Sequence, residues 1–205
     1  IGILAGMLGA FALFVATTNL NAAIYNGPHD LSTGTAFTTA SVNDQTCVFC
    51  HTPHGAKLDA PLWNRTDSTT TFSMYSSDTI DMAIATAPNG ESMVCLSCHD
   101  GTTADLDNVI NKPNNATGAW TMTGSWGAAA DMGSDLSTEH PVSVTYNTTL
   151  DTAFDTQANA EADGATFYSG SIECGSCHNP HLETYGSFLR TSNDASALCL
   201  ACHLK

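Results

Sequence analysis

Four copies of one five-residue pattern account for every cysteine in the chain. Each copy reads C-x-x-C-H, and a histidine directly follows the second cysteine. The cysteines are Cys47, Cys50, Cys95, Cys98, Cys174, Cys177, Cys199 and Cys202, and the histidines are His51, His99, His178 and His203. Two thiols at this spacing can add to the two vinyl groups at one edge of a haem, and the next histidine then lies beneath the iron as its proximal ligand. The pattern therefore predicts four covalently attached haem c groups.

Two other uses of cysteine pairs compete with haem attachment. Pairs of the form C-x-x-C bind zinc, and an even number of cysteines in a short secreted chain indicates disulfides. A zinc site does not require histidine after every second cysteine, and disulfides explain neither the pairing nor the histidines. Haem attachment is therefore the favoured interpretation.

The chain has four further histidines, which equals the number of iron atoms that need a distal ligand. They are His29, His54, His140 and His181. This equality predicts bis-histidine coordination at every iron. The six methionines are the competing distal ligands, because histidine–methionine coordination is also common in cytochromes.

His54 and His181 share a local context that restricts what they can bind. Each follows a proximal histidine by three positions, with a proline directly before it. Three residues span at most ~10 Å, which is too short to pass around a porphyrin edge to the other face of the same haem. Each of these two histidines is therefore predicted to bind the iron of a neighbouring haem.

The beginning of the chain has the character of a secretory signal peptide. Residues 1–29 contain no Asp, Glu, Lys or Arg, and an apolar run from Ile1 to Val15 precedes a polar stretch and Ala22-Ala23. The positively charged n-region is missing before Ile1. Residues 1–23 are therefore predicted to be cleaved, since the run is shorter than the ~20 residues of a spanning helix; a retained membrane anchor is the alternative.

The motifs form two pairs, so residues 24–205 are predicted to be one tetrahaem domain with halves at about 24–110 and 135–205. Short helices are expected at Ser92–His99 and Ala195–His203, and a short strand at Val142–Tyr146. The fold class is thus mostly irregular, with short helices and few strands, wrapped around four haems. Such a loop-rich chain is expected to be unfolded without haem.

An arginine follows the first motif of each pair, Arg65 in one half and Arg190 in the other. A guanidinium suits a haem propionate, and an ordinary surface charge is the alternative. The formal net charge of −15 argues against nucleic acid and anionic membrane surfaces as partners and favours basic redox partners.

The pattern C-x-x-C-H-x-P-H, a later Leu/Phe-x-Arg and a final L-C-x-x-C-H resembles the doubled C-x-x-C-H family of multihaem c-type cytochromes. The whole arrangement is similar to filament-forming extracellular tetrahaem cytochromes of the outer-membrane tetrahaem cytochrome E type. That resemblance implies a head-to-tail homopolymer in which His29 binds a haem of the adjacent subunit. It also implies secretion to the extracellular space or cell surface, with electron acceptors there.

Several other functions fit the same motifs. One is a monomeric periplasmic electron shuttle, in which His29 folds back onto a haem of its own chain. Another is a membrane-anchored tetrahaem quinol dehydrogenase. A multihaem enzyme would need an iron with an open axial position, and the histidine count allows every iron to be closed. The chain is therefore predicted to be an electron carrier, not an enzyme, with no stable membrane insertion after cleavage.

The first prediction concerns the number of haems. Because thioether bonds survive denaturation, the protein should keep its haem through a denaturing gel, and its intact mass should show four haem additions. Fewer than four additions, or bound zinc in their place, would contradict the assignment of all four motifs.

Overall fold

The computed structural model describes residues 24–32, 45–113 and 130–204, and most of them lie in loops and turns. The segment 1–23, with the predicted signal peptide, lies outside the described residues. The helices are a 3-10 turn at Thr46–Phe49, α1 at Gly90–His99, α2 at Gln157–Ala162, α3 at Cys174–Cys177, a 3-10 turn at Asp194–Ser196 and α4 at Ala197–Leu200. Strands β1 (Val144–Thr145) and β2 (Ser171–Ile172) pair antiparallel, with Val144 opposite Ile172.

The short elements expected from the sequence occur with adjusted limits. The helix expected at Ser92–His99 is confirmed within α1. The helix expected at Ala195–His203 is broken, because Ala195 and Ser196 adopt left-handed φ values of 51° and 65° before α4 begins. The strand expected at Val142–Tyr146 is reduced to the two residues of β1.

Each C-x-x-C-H motif is built on a helical turn. The backbone amide of the histidine donates to the carbonyl of the first cysteine over 2.8 Å in the first motif, 3.1 Å in the third and 2.9 Å in the fourth. The second motif forms the last turns of α1. Residues three positions apart lie on one side of such a turn, so each pair of thiols is presented to one side.

After the first and third motifs, the chain turns back and pairs with the motif it has just left. His51 bridges Trp63 and His178 bridges Leu189, both antiparallel. One residue further on, the backbone amide of Asn64 donates to the carbonyl of Cys50, and the backbone amide of Arg190 donates to the carbonyl of Cys177, each over 2.9 Å. Asn64, and not Arg65, therefore has the position in the first half that Arg190 has in the second. An alignment of the two halves on Arg65 and Arg190 is wrong by one residue.

The two halves meet where α1 contacts α3, around the carboxylate of Glu173. Glu173 is 2% exposed and accepts hydrogen bonds from Ser92 Oγ at 2.5 Å and Ser143 Oγ at 2.9 Å. The amide of Gly175 donates to Glu91 Oε2 at 2.5 Å, and a side chain at Gly175 would collide with that carboxylate. Buried carboxylates need such donors, so these contacts fix how the halves join.

The apolar core is divided into two small clusters. The buried members of the first are Leu31, Phe49, Ala104, Leu106 and Val109, and those of the second are Phe72, Leu96 and Leu136. Both clusters lie beside a haem motif, since Phe49 belongs to the first motif and Leu96 to the second. Among the described helices, none has the length and apolar character needed to cross a membrane.

The contacts of Glu173 give the second prediction. Glu173→Ala leaves two buried hydroxyls without their acceptor, and it should lower the free energy of unfolding by about 2–4 kcal/mol. Denaturant titration followed by circular dichroism would measure this loss. The control is Glu161→Ala on the exposed face of α2, for which we expect a change of about 0.5 kcal/mol or less. Equal losses in the two variants would contradict the role of Glu173.

Candidate haem-binding sites

Three of the proximal histidines are oriented by backbone carbonyls. The Nδ1 atom lies 2.8 Å from Pro61 O in His51, 2.7 Å from Ala130 O in His99, and 2.8 Å from Ser187 O in His178. The carbonyl can only accept, so Nδ1 carries the proton and Nε2 is left with the lone pair. This is the arrangement that metal-bound histidines use to fix the ring and its tautomer.

The chain folds locally so that these carbonyls reach the rings. Pro61 and Ser187 precede the left-handed residues Leu62 and Phe188, both with φ of 58°. In each case the return segment then pairs antiparallel with the motif. The turn that follows the motif therefore determines where the proximal ring points.

Three proximal histidines face a distal histidine from elsewhere in the same chain. The ring centroids are 6.1 Å apart for His51 and His181, 6.1 Å for His29 and His99, and 6.5 Å for His140 and His203. Two imidazoles on opposite sides of one metal, each at the ~2 Å bond length of histidine ligands, have ring centres about 6 Å apart. The separations therefore fit one iron between the members of each pair.

The pair of His51 and His181 joins the two halves of the chain. His54 and His178 are the remaining predicted ligands, and each lies three positions from a member of that pair. Within the described ranges, no ring contact links His54 with His178, and His54 is exposed. In the described part of the chain, no observed contact therefore pairs either of these two histidines with the other.

His29 lies in the interior of its own chain. Its ring is 4.5 Å from that of Phe188, and its Nδ1 is buried without a hydrogen-bond partner in the described part of the chain. Burial, with smaller contributions from His99 and His181, lowers the pKa of His29 to about 4. This position agrees with the alternative in which His29 folds back onto its own chain.

The cysteines of successive motifs are neighbours. Burial raises the pKa of Cys50 to about 12 and nearby Cys98 adds to the increase, and burial raises that of Cys177 to about 11 with a contribution from Cys202. The hydrogen bond between the thiols of Cys95 and Cys174 raises the pKa of Cys95. The same hydrogen bond lowers the pKa of Cys174, so the surroundings of the thiols do not all act in one direction.

The two arginines expected to meet propionates are used inside the protein. Arg65 is 1% exposed and donates to the carbonyls of Ser97 (3.2 Å) and Thr103 (2.6 Å). Arg190 donates through Nε to Gly175 O at 2.5 Å and through Nη2 to the hydroxyl of Tyr168 at 3.0 Å. Neither is an ordinary surface charge, because each donates to the carbonyl of one residue that lies between the two cysteines of a motif.

Asn64 is a positioning residue that the motif pattern does not reveal. It is fully buried, and its amide donates to Val48 O at 2.6 Å and to Asn111 O at 2.9 Å. The amide of Asn111 donates back to Asn64 Oδ1 at 2.8 Å. Asn64 thus ties the first motif to the end of the first half.

Residues 167–205 match the family model of the doubled CXXCH motif. The match covers the third and fourth motifs with His181 and Arg190, and the first pair of motifs lies outside it. A search of curated proteins finds no significant match. The matched segment carries the haem c attachment motif of multihaem c-type cytochromes, whose general function is electron transfer.

The residues present fit haem better than they fit a cysteine-rich metal site. All eight cysteines are free thiols, none joined in a disulfide. Within the described ranges, no group of three or more His, Cys, Asp or Glu side chains is arranged to hold a metal ion. Six of the eight histidines instead oppose one another in three pairs, as axial ligands of a planar macrocycle would.

The angles between paired rings give the third prediction. The interplanar angle is 81° for His29 and His99 and 82° for His140 and His203, against 64° for His51 and His181. Each axial imidazole splits the energies of two iron d orbitals, and two perpendicular rings cancel this splitting. The g values of the low-spin ferric iron then differ strongly from one another. The ferric protein should therefore show highly anisotropic low-spin signals in electron paramagnetic resonance at low temperature. Exclusively rhombic signals, as parallel rings produce, would contradict these pairings.

Proposed function

We propose that this protein transfers electrons through four haem c groups, each held by two histidines. The observation that carries the proposal is the set of three opposed histidine pairs, with ring centroids 6.1 to 6.5 Å apart. Each pair joins a C-x-x-C-H histidine to a histidine outside these motifs. Haem iron, when bound, supplies a centre that alternates between the ferrous and ferric states.

Each haem would be held by one motif and by a distal histidine from another part of the chain. His181 would serve the first motif, His29 the second, His54 the third and His140 the fourth. The contact of His181 with His51 supports the expectation that His181 binds a neighbouring haem, and the assignment of His54 to the third haem follows by elimination. The first and third haems would then lie side by side, because the segment after each of the two motifs would supply the distal histidine of the other haem.

The contacts between cysteines support a continuous path for electrons. Cys98 raises the pKa of Cys50, Cys174 raises that of Cys95 and Cys202 raises that of Cys177, so each of the first three motifs has a thiol near one of the next motif. Because each cysteine would bond to the edge of its porphyrin, neighbouring cysteines bring porphyrin edges together. Electron transfer depends steeply on edge-to-edge distance, so this arrangement favours rapid exchange along the chain.

The protein's own groups would keep the irons closed to substrates. Paired histidines would occupy both axial positions of each haem, and backbone carbonyls hold three of the predicted proximal rings in place. Bis-histidine coordination also gives lower potentials than histidine–methionine coordination, since a thioether raises the potential. These features favour an electron carrier of low potential over an enzyme that binds substrate at iron.

The site of action that we propose is outside the cytoplasm, because haem c is attached there and residues 1–23 resemble a signal peptide. Basic redox proteins are the partners that the net charge of −15 favours. The contact of His29 with His99 in one chain supports a monomeric shuttle. A head-to-tail filament joined through His29 stays a prediction of the family resemblance, and it would require this segment to leave its own chain.

The crossed pairing gives the fourth prediction. His181→Ala should convert one of the four haems from low-spin to high-spin, and the ferric optical and electron paramagnetic resonance spectra would measure the fraction. In a Cys47→Ala/Cys50→Ala background, which lacks the first haem, His181→Ala should add no high-spin signal. In a Cys174→Ala/Cys177→Ala background, the signal should remain.

The matched control is His54→Ala, which should behave in the opposite way. Its high-spin signal should disappear in the Cys174→Ala/Cys177→Ala background and remain in the Cys47→Ala/Cys50→Ala background. If His181→Ala is instead silent when the third haem is missing, His181 binds the haem of its own motif and the proposed pairing is wrong.

A further inference from the structure

Asp30 is a fully buried carboxylate directly after the distal ligand His29. Its Oδ2 accepts a hydrogen bond from the amide of Asn26 at 2.8 Å. Its Oδ1 accepts from the amide and the hydroxyl of Ser32, at 3.1 and 2.5 Å. These three bonds close residues 26–32 into a compact turn that has His29 in its middle.

The same carboxylate ties this turn to the first haem motif. The hydroxyl of Thr46 donates to Asp30 Oδ1 at 3.3 Å and lies 3.2 Å from Ser32 Oγ. Thr46 is the first residue of the 3-10 turn at Thr46–Phe49 and directly precedes Cys47. The turn of His29 is therefore anchored to an element that a covalently bound haem would hold rigid.

Packing on the other side of Asp30 strengthens this anchor. Leu31 is 6% exposed and belongs to the cluster that contains Phe49 of the first motif. The apolar contact and the carboxylate bonds fix the backbone on one side of His29. Within the described residues, His29 has no hydrogen bond through Nδ1 to orient its ring, unlike the proximal histidines held by carbonyls. The position of its ring thus depends on the backbone that carries it and on contacts such as that with Phe188.

We infer that Asp30 is the positioning residue that holds His29 as an axial ligand of the second haem, opposite His99, within one chain. The inference rests on the proposed function, because it requires His29 to bind iron. Asp30 does not touch the iron in this role. It acts by holding the turn against the first motif, so that His29 meets His99 at a ring distance of 6.1 Å.

A second Asp-Leu-Ser sequence offers a matched comparison. Asp135 accepts from the amide of Ser137 at 3.0 Å and from its hydroxyl at 2.6 Å, as Asp30 does with Ser32. Leu136, between them, is likewise buried. Asp135 is exposed, and both of these bonds stay within its own turn. The two bonds to serine are thus the same in both turns, and the hydrogen bonds from Asn26 and Thr46 distinguish Asp30.

The test compares Asp30→Ala with His29→Ala in the protein loaded with all its haems. His29→Ala should render one haem in four high-spin, and added imidazole should restore the low-spin spectrum. Asp30→Ala should also produce high-spin haem, but less of it, with a fraction between zero and one quarter of the four haems. Added imidazole should remove this high-spin signal too. Asp30→Asn keeps one carbonyl acceptor and should give a smaller fraction. Both effects should vanish in a Cys95→Ala/Cys98→Ala background.

The outcomes separate failure of this inference from failure of the proposed function. If His29→Ala alters no haem, His29 is not a ligand, and both the pairing and the inference are wrong. If His29→Ala alters the second haem while Asp30→Ala and Asp30→Asn leave all four low-spin, the role of Asp30 alone is wrong. The inference is also overturned if Asp135→Ala produces the same high-spin fraction, or if the Asp30 variants disturb all four haems equally.

Discussion

The hydrogen bond from a histidine Nδ1 to a backbone carbonyl is the interaction on which the rest of this structure depends. It requires the chain to turn back after the first and third motifs, which the left-handed residues Leu62 and Phe188 permit. It also leaves Nε2 facing away from the motif, toward the distal histidine. The long irregular segments are therefore ordered by the positions of a few imidazole rings more than by regular secondary structure, which in the described residues is confined to short helices and two paired strands.

The small size of the apolar core explains why buried polar contacts are so prominent. Each of the two clusters of buried hydrophobic residues includes one residue of a C-x-x-C-H motif, and the buried polar residues include Glu173, Arg65, Asn64 and Asp30. A buried charge or amide is costly unless its partners are present, so each of these groups fixes one arrangement of the loops around it. In a chain with few regular elements, such groups provide the specificity that helix and sheet packing would otherwise supply.

The sequence predicts the chemistry of the sites better than their assembly. The spacing within C-x-x-C-H and the count of spare histidines single out eight histidines, and the structure brings six of them into three opposed pairs. The counterpart of Arg190 was misjudged because the first loop, from His51 to Trp63, is one residue longer than that from His178 to Leu189. The carbonyls of Pro61, Ala130 and Ser187 have no side-chain signature, and Asp30 resembles an ordinary turn residue until its burial is known.

The position of residues 24–32 bears on both architectures that the motifs allow, a monomer and a head-to-tail filament. A ligand near the mature N-terminus can cross to a neighbouring subunit only if equivalent interactions await it there, because the free energy of leaving its own chain must be recovered from the new one. Residues 24–32 contribute His29 beside Phe188, Leu31 in the core, and the carboxylate of Asp30 bonded to Thr46. If residues 24–32 bound a neighbouring chain instead of their own, these interactions would be preserved only if that chain supplied its own copies of all the partner residues at once. The turn would therefore have to move as one unit, and such an exchange would interlock whole subunits instead of bridging them through one coordinate bond.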